Sequence, residues 1–482
     1  MSYVKFTKHI AAVGIINVLG MIQGLVFLSL ITKVLGPKEY GIWSQVLVTM
    51  SLAVSFTFLG LHESLVRFIP GEKDEKKVRE GVYSSVAVVF CINMLIALLL
   101  ILFSSPLSAF LKFDQLFIRL LSLMIVFESL NTVFLVVIRA RREIGKYFWF
   151  AGVKMCLEIG LLLVVVLAGL GLWGVVLSYL LVKVAIFLAL LFYIIKKIGF
   201  AFPDFSLMKG YLSFGFPTMA DGFAYWIITS FDRYLIGFYL GIVFVGYYAP
   251  AYSIGYILSV FIFPLSFVLS AVLPKLFDEN NMEEARNYLR YSLKYFLAII
   301  IPATFGISIL SKQLLAVFST QEIARHAHAV VPFIAASIFL YGISYFFSQI
   351  LVLAKRTKLI AFIWAFAALL NVALNIIFIP LWGILGAAIT TLLAYLSAFL
   401  LMHHFAVKEF TFTIEWGFIS KALLSSLIMV SFIVWLNVRG LPGLLVAVPS
   451  GAAVYFASMV LLKGFGKKEI NFLKNEIFIF SK

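Results

Sequence analysis

Charge is scarce in this chain. Asp, Glu, Lys and Arg make up 12% of its 482 residues, about half the share of a soluble domain. Too few charges are present to cover the surface of a water-soluble protein of this size. Cysteine is nearly absent, and Cys91 and Cys156 both lie in apolar runs, which leaves no disulfide framework and no metal site. A glycine-rich phosphate loop and a metal-ligand cluster are also missing, and the short loops leave no soluble domain to hold a nucleotide. Covalent catalysis therefore has nowhere to sit, and neither an enzyme nor a resident cofactor is expected. The first apolar run is full length rather than the short core of a cleavable signal peptide.

Apolar sequence is plentiful instead. Hydrophobic residues reach 63% and the mean hydropathy is +1.08. Runs of roughly 20 apolar residues recur along the chain, each long enough to cross a hydrocarbon core of about 30 Å. The short alternating strands of a membrane barrel are absent. The fold class expected is all-α integral membrane, with about 14 transmembrane helices near 10–32, 41–61, 81–104, 116–138, 147–168, 173–195, 213–238, 245–273, 293–310, 329–352, 359–379, 383–403, 417–437 and 443–463.

The net charge of +16 is a footprint shared with nucleic-acid binders. Here, however, the basic residues sit in short loops between apolar runs, so no nucleic-acid partner is expected. Alternate loops carry most of them: Lys5 and Lys8; Arg67, Lys73, Lys76, Lys77 and Arg79; Arg139, Arg141, Arg142 and Lys146; Lys196, Lys197 and Lys209; Lys275, Arg286, Arg290 and Lys294; and Lys355, Arg356 and Lys358. By the positive-inside rule both termini belong in the cytoplasm of a multi-pass protein of the cell membrane.

The chain also repeats itself. LGPKEYGIW (Leu35 to Trp43) after span 1 matches LGIVFVGYY (Leu240 to Tyr248) after span 7. ARREIGKYF (Ala140 to Phe148) resembles AKRTKLIAF (Ala354 to Phe362), and GLWGVVLSYL (Gly171 to Leu180) resembles PLWGILGAAI (Pro380 to Ile389). Two copies of a six-span unit are expected, an N-lobe at 1–209 and a C-lobe at 210–408, with spans 13–14 and a tail at 409–482. Six spans per copy make the repeats parallel, with the substrate path at their interface.

The LGPKEYGIW turn, the FGFPTMA…FDRYLIGFYLG…VGYYAPA stretch and the basic loop after span 4 resemble the polysaccharide biosynthesis (Wzx-type) oligosaccharide flippases of the MATE-like transporter superfamily. The resemblance covers nearly the whole chain. It implies two pseudo-symmetric six-helix lobes in a V-shaped arrangement plus two C-terminal helices. The function it implies is translocation of a lipid-linked oligosaccharide or polysaccharide repeat unit by alternating access. The partners implied are a polyisoprenoid-phosphate-linked glycan, membrane lipids and other glycan-assembly membrane proteins.

Ionisable groups inside spans cost several kcal/mol unless paired or wet, so each needs a reason. Lys154 and Glu158 share a face of span 5, and Lys183 of span 6 lies at similar depth across the hairpin, each roughly 15–18 Å from the outer end. They either pin two helices together or hold an anionic ligand through their one excess positive charge. Asp221, Tyr225, Thr229 and Asp232 fall on nearly one face of span 7 and form a polar stripe expected to line the substrate cavity. Arg233 points about 100° away, toward a partner on another span, unless Asp232 and Arg233 snorkel to the outer interface. Glu63 and Arg67 are spaced as a helix pair, with Arg67 also a candidate phosphate contact. Glu128 in span 4 either pairs with a lysine of spans 5 or 6 or carries a proton. With Asp221 it is the candidate for coupling to a Na+ or H+ gradient. Gly20 and Gly24 suggest close packing of span 1, and Asn371 and Asn375 suggest a bond between helices. Tyr247, Tyr248, Tyr252 and Tyr256 form either an interfacial belt or a surface for stacking sugars.

Two other functions fit this sequence less well. A cation-coupled multidrug exporter of the same superfamily would want an acidic cavity, whereas spans 5–6 read as net basic. A glycan polymerase or ligase would need large outer loops, which are missing.

Overall fold

The computed structural model describes the backbone of residues 3–465 except 112 and 280. Side chains before Ile16, apart from Gly14, and several around 217–221 and 263–271 lie outside the described set. The side chains of Lys5, Lys8 and Asp221 and the lysines beyond 465 therefore lie outside the described residues.

The described chain is helical and contains no strand. In order the helices are α1 (Tyr3–Val34), α2 (Pro37–Phe58), α3 (Leu61–Phe68), α4 (Glu75–Leu102), α5 (Ser104–Leu111), α6 (Gln115–Ala140), α7 (Ile144–Leu167), α8 (Gly171–Ile198), α9 (Met208–Trp226) and α10 (Asp232–Tyr239). They continue as α11 (Ile242–Tyr256), α12 (Ile262–Asp278), α13 (Met282–Ile309), α14 (Ser311–Phe318), α15 (Gln321–Ala327), α16 (Val330–Leu353), α17 (Thr357–Glu409), α18 (Trp416–Trp435) and α19 (Gly440–Leu461). Twelve helical segments among the described residues are long and apolar enough to cross a membrane. Two departures separate that number from the expected spans. The spans near 359–379 and 383–403 form the 53-residue α17, which breaks at Gly383 (φ 59°, ψ −141°). The span near 213–238 is divided into α9, a π-helical turn at Ile227–Phe231 and α10.

The chain forms two units. The first comprises Met1–Pro250, Phe318–Ile323 and Ala361–Ala394. Its core is the apolar cluster of Leu65, Val82, Val133, Phe134, Val137 and Leu190, contributed by α3, α4, α6 and α8. The second comprises Ala251–Val317, Ala324–Ile360 and Tyr395–Lys482. There α13 packs against α16 and α18, and α18 against α19. Gly342 lets the Phe296 ring lie so close that a β-carbon would stand 2.4 Å from it. Glu415 ties the base of this unit by taking Arg290 at 2.7 Å and Lys294 at 3.2 Å.

The internal repeat is visible in the hydrogen bonds. Leu35 N–H donates to Ile31 O at 2.8 Å and Gly36 N–H to the same oxygen at 3.2 Å; Leu240 and Gly241 donate to Ile236 O at 2.9 and 3.2 Å. Gly36 and Gly241 take φ of 92° and 98°, a region open to glycine and strained for other residues. Each turn starts the next helix, α2 or α11, and these two starts meet. A β-carbon on Gly41 would lie 2.2 Å from Ile242 O, and one on Gly246 would lie 1.7 Å from Pro37 O. Gly41 and Gly246 are equivalent residues of the repeat, as are Pro37 and Ile242, so the contact is reciprocal. Small residues allow this approach of two helix backbones.

Two registers of the repeat are corrected. In the basic loop, Arg142 and Lys355 hold the left-handed φ (61° and 59°), so Arg142 corresponds to Lys355, one residue away from the match of Ala140 with Ala354. At the hairpin before the sixth span, Gly171 (φ 62°) corresponds to Gly383 (φ 59°). GLWG therefore matches GILG (383–386), not PLWG. Gly174 and Gly386 follow three residues later, and each faces the end of the preceding helix more closely than a β-carbon permits. Asn375 and Thr390 lie either side of that turn; the Thr390 hydroxyl donates to Asn375 Oδ1 at 2.6 Å, and Asn375 Nδ2 donates to Asn371 Oδ1 at 3.0 Å.

The close packing expected at Gly24 is not found, since nothing lies within 4 Å of a β-carbon there, and at Gly20 the nearest atom is Met155 Cε at 3.7 Å. This sets up a comparison by thermal unfolding of the purified chain in detergent. Gly41→Ala and Gly246→Ala should each lower Tm by several degrees, the overpacking penalty being about 1–3 kcal/mol, and Gly24→Ala should leave Tm within a degree or raise it.

Candidate functional site

The first unit holds a buried ionic network assembled from four helices. Glu128 comes from α6, Lys154 and Glu158 from α7, and Lys183 from α8. Lys154 Nζ donates to both oxygens of Glu128, at 2.7 and 2.9 Å, and Lys183 Nζ donates to Glu128 Oε2 at 2.5 Å. Glu158 Oε1 lies 3.7 Å from Lys183, and Gln23 of α1 donates to Glu158 Oε2 at 2.5 Å. Lys183 is wholly buried and Glu158 nearly so, while about a sixth of the Glu128 and Lys154 side chains is exposed. The Lys183 ammonium also stands 3.9 Å from the centroid of the Tyr179 ring, a contact that strengthens when desolvated. Asn131 Nδ2 donates to the Lys183 carbonyl at 2.9 Å.

Two carboxylates face two ammonium groups, so the network is neutral. The excess positive charge read from Lys154 and Lys183 against Glu158 is cancelled by Glu128. Neutrality follows from the medium: an unpaired charge here would carry its full desolvation cost. Of the two roles open for Glu128, the structure shows pairing with the lysines of both following helices.

A second polar set surrounds the π-helical turn. Asp232 is fully buried and Arg233 nearly so, which rules out snorkelling to the interface. The Tyr248 hydroxyl donates to Asp232 Oδ2. Arg233 turns back along its own helix: Nη1 donates to Thr229 O at 2.6 Å and lies 3.8 Å from Asp232 Oδ1. Gln45 of α2 donates to the Arg233 carbonyl at 2.8 Å, the Thr49 and Tyr234 hydroxyls are 2.7 Å apart, and Trp226 Nε1 donates to Ser51 Oγ at 3.0 Å. The expected stripe from Asp221 through Tyr225 to Asp232 assumed 3.6 residues per turn. The wider turn at Ile227–Phe231 lies between Tyr225 and Asp232 and changes that register; such turns recur at functional sites. Tyr225 is half-buried, and its carbonyl accepts from the Thr229 hydroxyl at 2.9 Å.

Arg67 does not join this set. It is exposed on α3, with its guanidinium 4.8 Å from the centroid of the Phe214 ring, and Glu63 lies 3.4 Å from His62 instead. Close by, a cavity of about 420 Å³ opens among α2, α3, α6, α7 and α9. Its polar lining includes Arg139, His62, Thr132 and Tyr147, its floor includes Phe56 and Phe223, and no carboxylate lines it among the described residues.

Several partners were not foreseen. Tyr179 precedes Lys183 by one helical turn, a spacing that signals the cation–π contact. Gln45 and Tyr248 lie nine and seven residues beyond the turn glycines Gly36 and Gly241 of their copies, but no spacing connects them to Asp232 and Arg233. Arg139 read only as an orientation charge.

Comparison with known proteins places this arrangement. The model of the family described as "Polysaccharide biosynthesis protein" matches residues 6–278, more than half of the chain. The chain belongs to this family. A second family model, MatE, matches residues 217–377. The "Probable low-salt glycan biosynthesis flippase Agl15" of Haloferax volcanii is 21% identical over 456 residues, 92% of this chain and 93% of that protein. Among solved structures, the lipid II flippase MurJ in an inward closed conformation superposes with a TM-score of 0.77 at 20% identity, over 93% of this chain and 98% of that one. An inward-facing multidrug resistance MATE family transporter of the MOP superfamily gives 0.67 at 16% identity, over 82% and 98%. The fold is thus the all-α, multi-pass MATE-like fold.

Lys183→Met leaves two buried carboxylates against one lysine and should cost about 3–5 kcal/mol, the penalty for breaking a buried pair. Adding Glu128→Gln returns the network to neutrality and should recover part of the lost Tm in detergent. A double variant no more stable than the single one would contradict the pairing.

Proposed function

We propose that this polysaccharide biosynthesis family member is a flippase that carries a polyisoprenoid-phosphate-linked oligosaccharide across the cell membrane. The single observation that carries the choice of substrate is the lining of the Arg139 cavity. A cavity with Arg139 and His62 and no described carboxylate suits an anionic head group, whereas an amphipathic cation calls for the reverse polarity. The family match and the names of Agl15 and MurJ support the same reading. The alternative is a cation-coupled multidrug exporter; the MATE neighbours are named as multidrug resistance transporters.

In this account the copies at 1–209 and 210–408 move against each other, with 409–482 appended to the second. Both termini face the cytoplasm, on the strength of the basic loops. Arg139 and Arg67 hold the lipid phosphates at the inward mouth, and the sugars contact Tyr147, Thr132 and polar groups of α9. The tail stays in the bilayer. Lys154 and Lys183, already saturated by carboxylates, act by fixing α6, α7 and α8 as one body. A Na+ or H+ gradient would couple through Glu128, whose carboxylate is partly open and held by two ammonium groups, or through Asp221. The protein is a transporter that makes and breaks no covalent bond.

The test is transfer of a fluorescent lipid-linked oligosaccharide in vesicles holding the purified chain. Wild type should move it, and Arg139→Ala should slow it roughly tenfold or more, the value of one charged hydrogen bond to phosphate. Transport of a cationic dye with no movement of lipid-linked glycan would favour the multidrug reading.

A further inference from the structure

The outer face of the α7–α8 hairpin carries a second basic site that the transport reading does not use. Two adjoining open cavities, of about 640 and 660 Å³, share Lys146, Trp149 and Lys197. Arg142 lines the first and Lys196 the second. The one acidic residue lining them, Glu143, is already engaged: Arg141 Nε and Lys197 Nζ each lie 3.6 Å from it, and the Tyr193 hydroxyl donates to it. Among the described residues no carboxylate reaches ion-pair distance of Arg142, Lys146 or Lys196. Lys146 is instead held 6.0 Å from the centroid of the Tyr193 ring.

Trp149 and Phe192 line the same cavities as these cations. Trp149 is 58% exposed, Phe192 71% and Leu188 57%, and Leu188 and Phe192 are one helical turn apart on the same face of α8. Basic residues beside an exposed Trp and an aliphatic–aromatic strip make an amphipathic surface for the level where head groups meet acyl chains. Lys196 and Lys197 in the last turn of α8 also complement its dipole, but that role needs neither Lys146 and Arg142 nor a concave aromatic floor. Tyr147, between Lys146 and the next residues of α7, lines the Arg139 cavity, so this groove and the proposed transport path occupy different faces of α7.

We propose that the groove binds an anionic phospholipid of the surrounding bilayer, its phosphate held by Arg142, Lys146 and Lys196 and an acyl chain laid along Phe192 and Leu188. Basic pockets at helix ends recognise such head groups, each Lys or Arg contributing about fivefold in affinity. This assignment goes beyond the flippase reading and does not depend on it.

The experiment is native mass spectrometry of the full chain in mild detergent with equal amounts of phosphatidylglycerol and phosphatidylcholine. Wild type should retain phosphatidylglycerol in preference, and R142A/K146A/K196A should lose that preference by roughly tenfold or more. Removal of two exposed lysines of another loop, K73A/K77A, should leave it intact. Should the triple variant unfold, as judged by its thermal transition, Lys196→Glu alone carries the test and should reduce retention. Equal binding of the two lipids by wild type, or undiminished retention by the variants, overturns the proposal. So does displacement of phosphatidylglycerol by an equal concentration of polyisoprenyl phosphate, which would give the groove to the transported lipid instead.

Discussion

Two helix starts, one from each copy of the repeat, press together at Gly41 and Gly246, and no β-carbon fits on either side. A β-carbon on Gly246 would fall 1.7 Å from Pro37 O, and one on Gly41 2.2 Å from Ile242 O. In a bilayer no hydrophobic force separates helix from lipid, so helices associate by close backbone packing and a few polar bonds. The reciprocal glycine contact supplies the first, and the Gln45 bond to the Arg233 carbonyl, 2.8 Å long, supplies the second one turn further along α2. Gly36 and Gly241 both take positive φ, and each turn leads directly into the helix start that meets the other. The whole of α2 and α11 is then aimed by one repeated turn.

Charge neutrality is the second constraint, and it decides what each ionisable residue can do. Glu128, Lys154, Lys183 and Glu158 cancel one another inside a space that excludes most water, so their attraction is spent on holding helices rather than on a ligand. Among the described residues no carboxylate pairs with Arg139 or Arg67, and the proposal uses them for an anion. Position relative to acids, more than depth in the membrane, separates the structural cations from those proposed to bind.

The fold was largely legible because its signals are long. Apolar runs act over about twenty residues, basic charge recurs at alternate loops and the LG…G turn appears twice, and tertiary packing does not override signals of that kind. Register was less legible: GLWG looks like PLWG in letters, but the glycine that must turn the chain with positive φ is Gly383, so the match moves by three residues. The site was read in part. Lys154, Glu158 and Lys183 share a hairpin whose geometry follows from helix rise alone, whereas Glu128 and Gln23 arrive from helices that no spacing connects to it. The register from Tyr225 to Asp232 was not legible, because the π-helical turn at Ile227–Phe231 leaves little mark in composition, and a single wide turn shifts the faces beyond it.

The central proposal is that the two copies, which meet at Gly41 and Gly246, part there when the lipid-linked glycan crosses. Lys38 and Phe244, exposed at the two repeated turns, accept spin labels as cysteines once the exposed Cys91 and Cys156 are changed to serine. Pulsed electron–electron distance measurement between these labels in vesicles tests the claim most directly. The account predicts a short distance in the resting protein and a second, longer population when lipid-linked oligosaccharide is supplied. A single unchanged distance in a preparation that transports the glycan would contradict it.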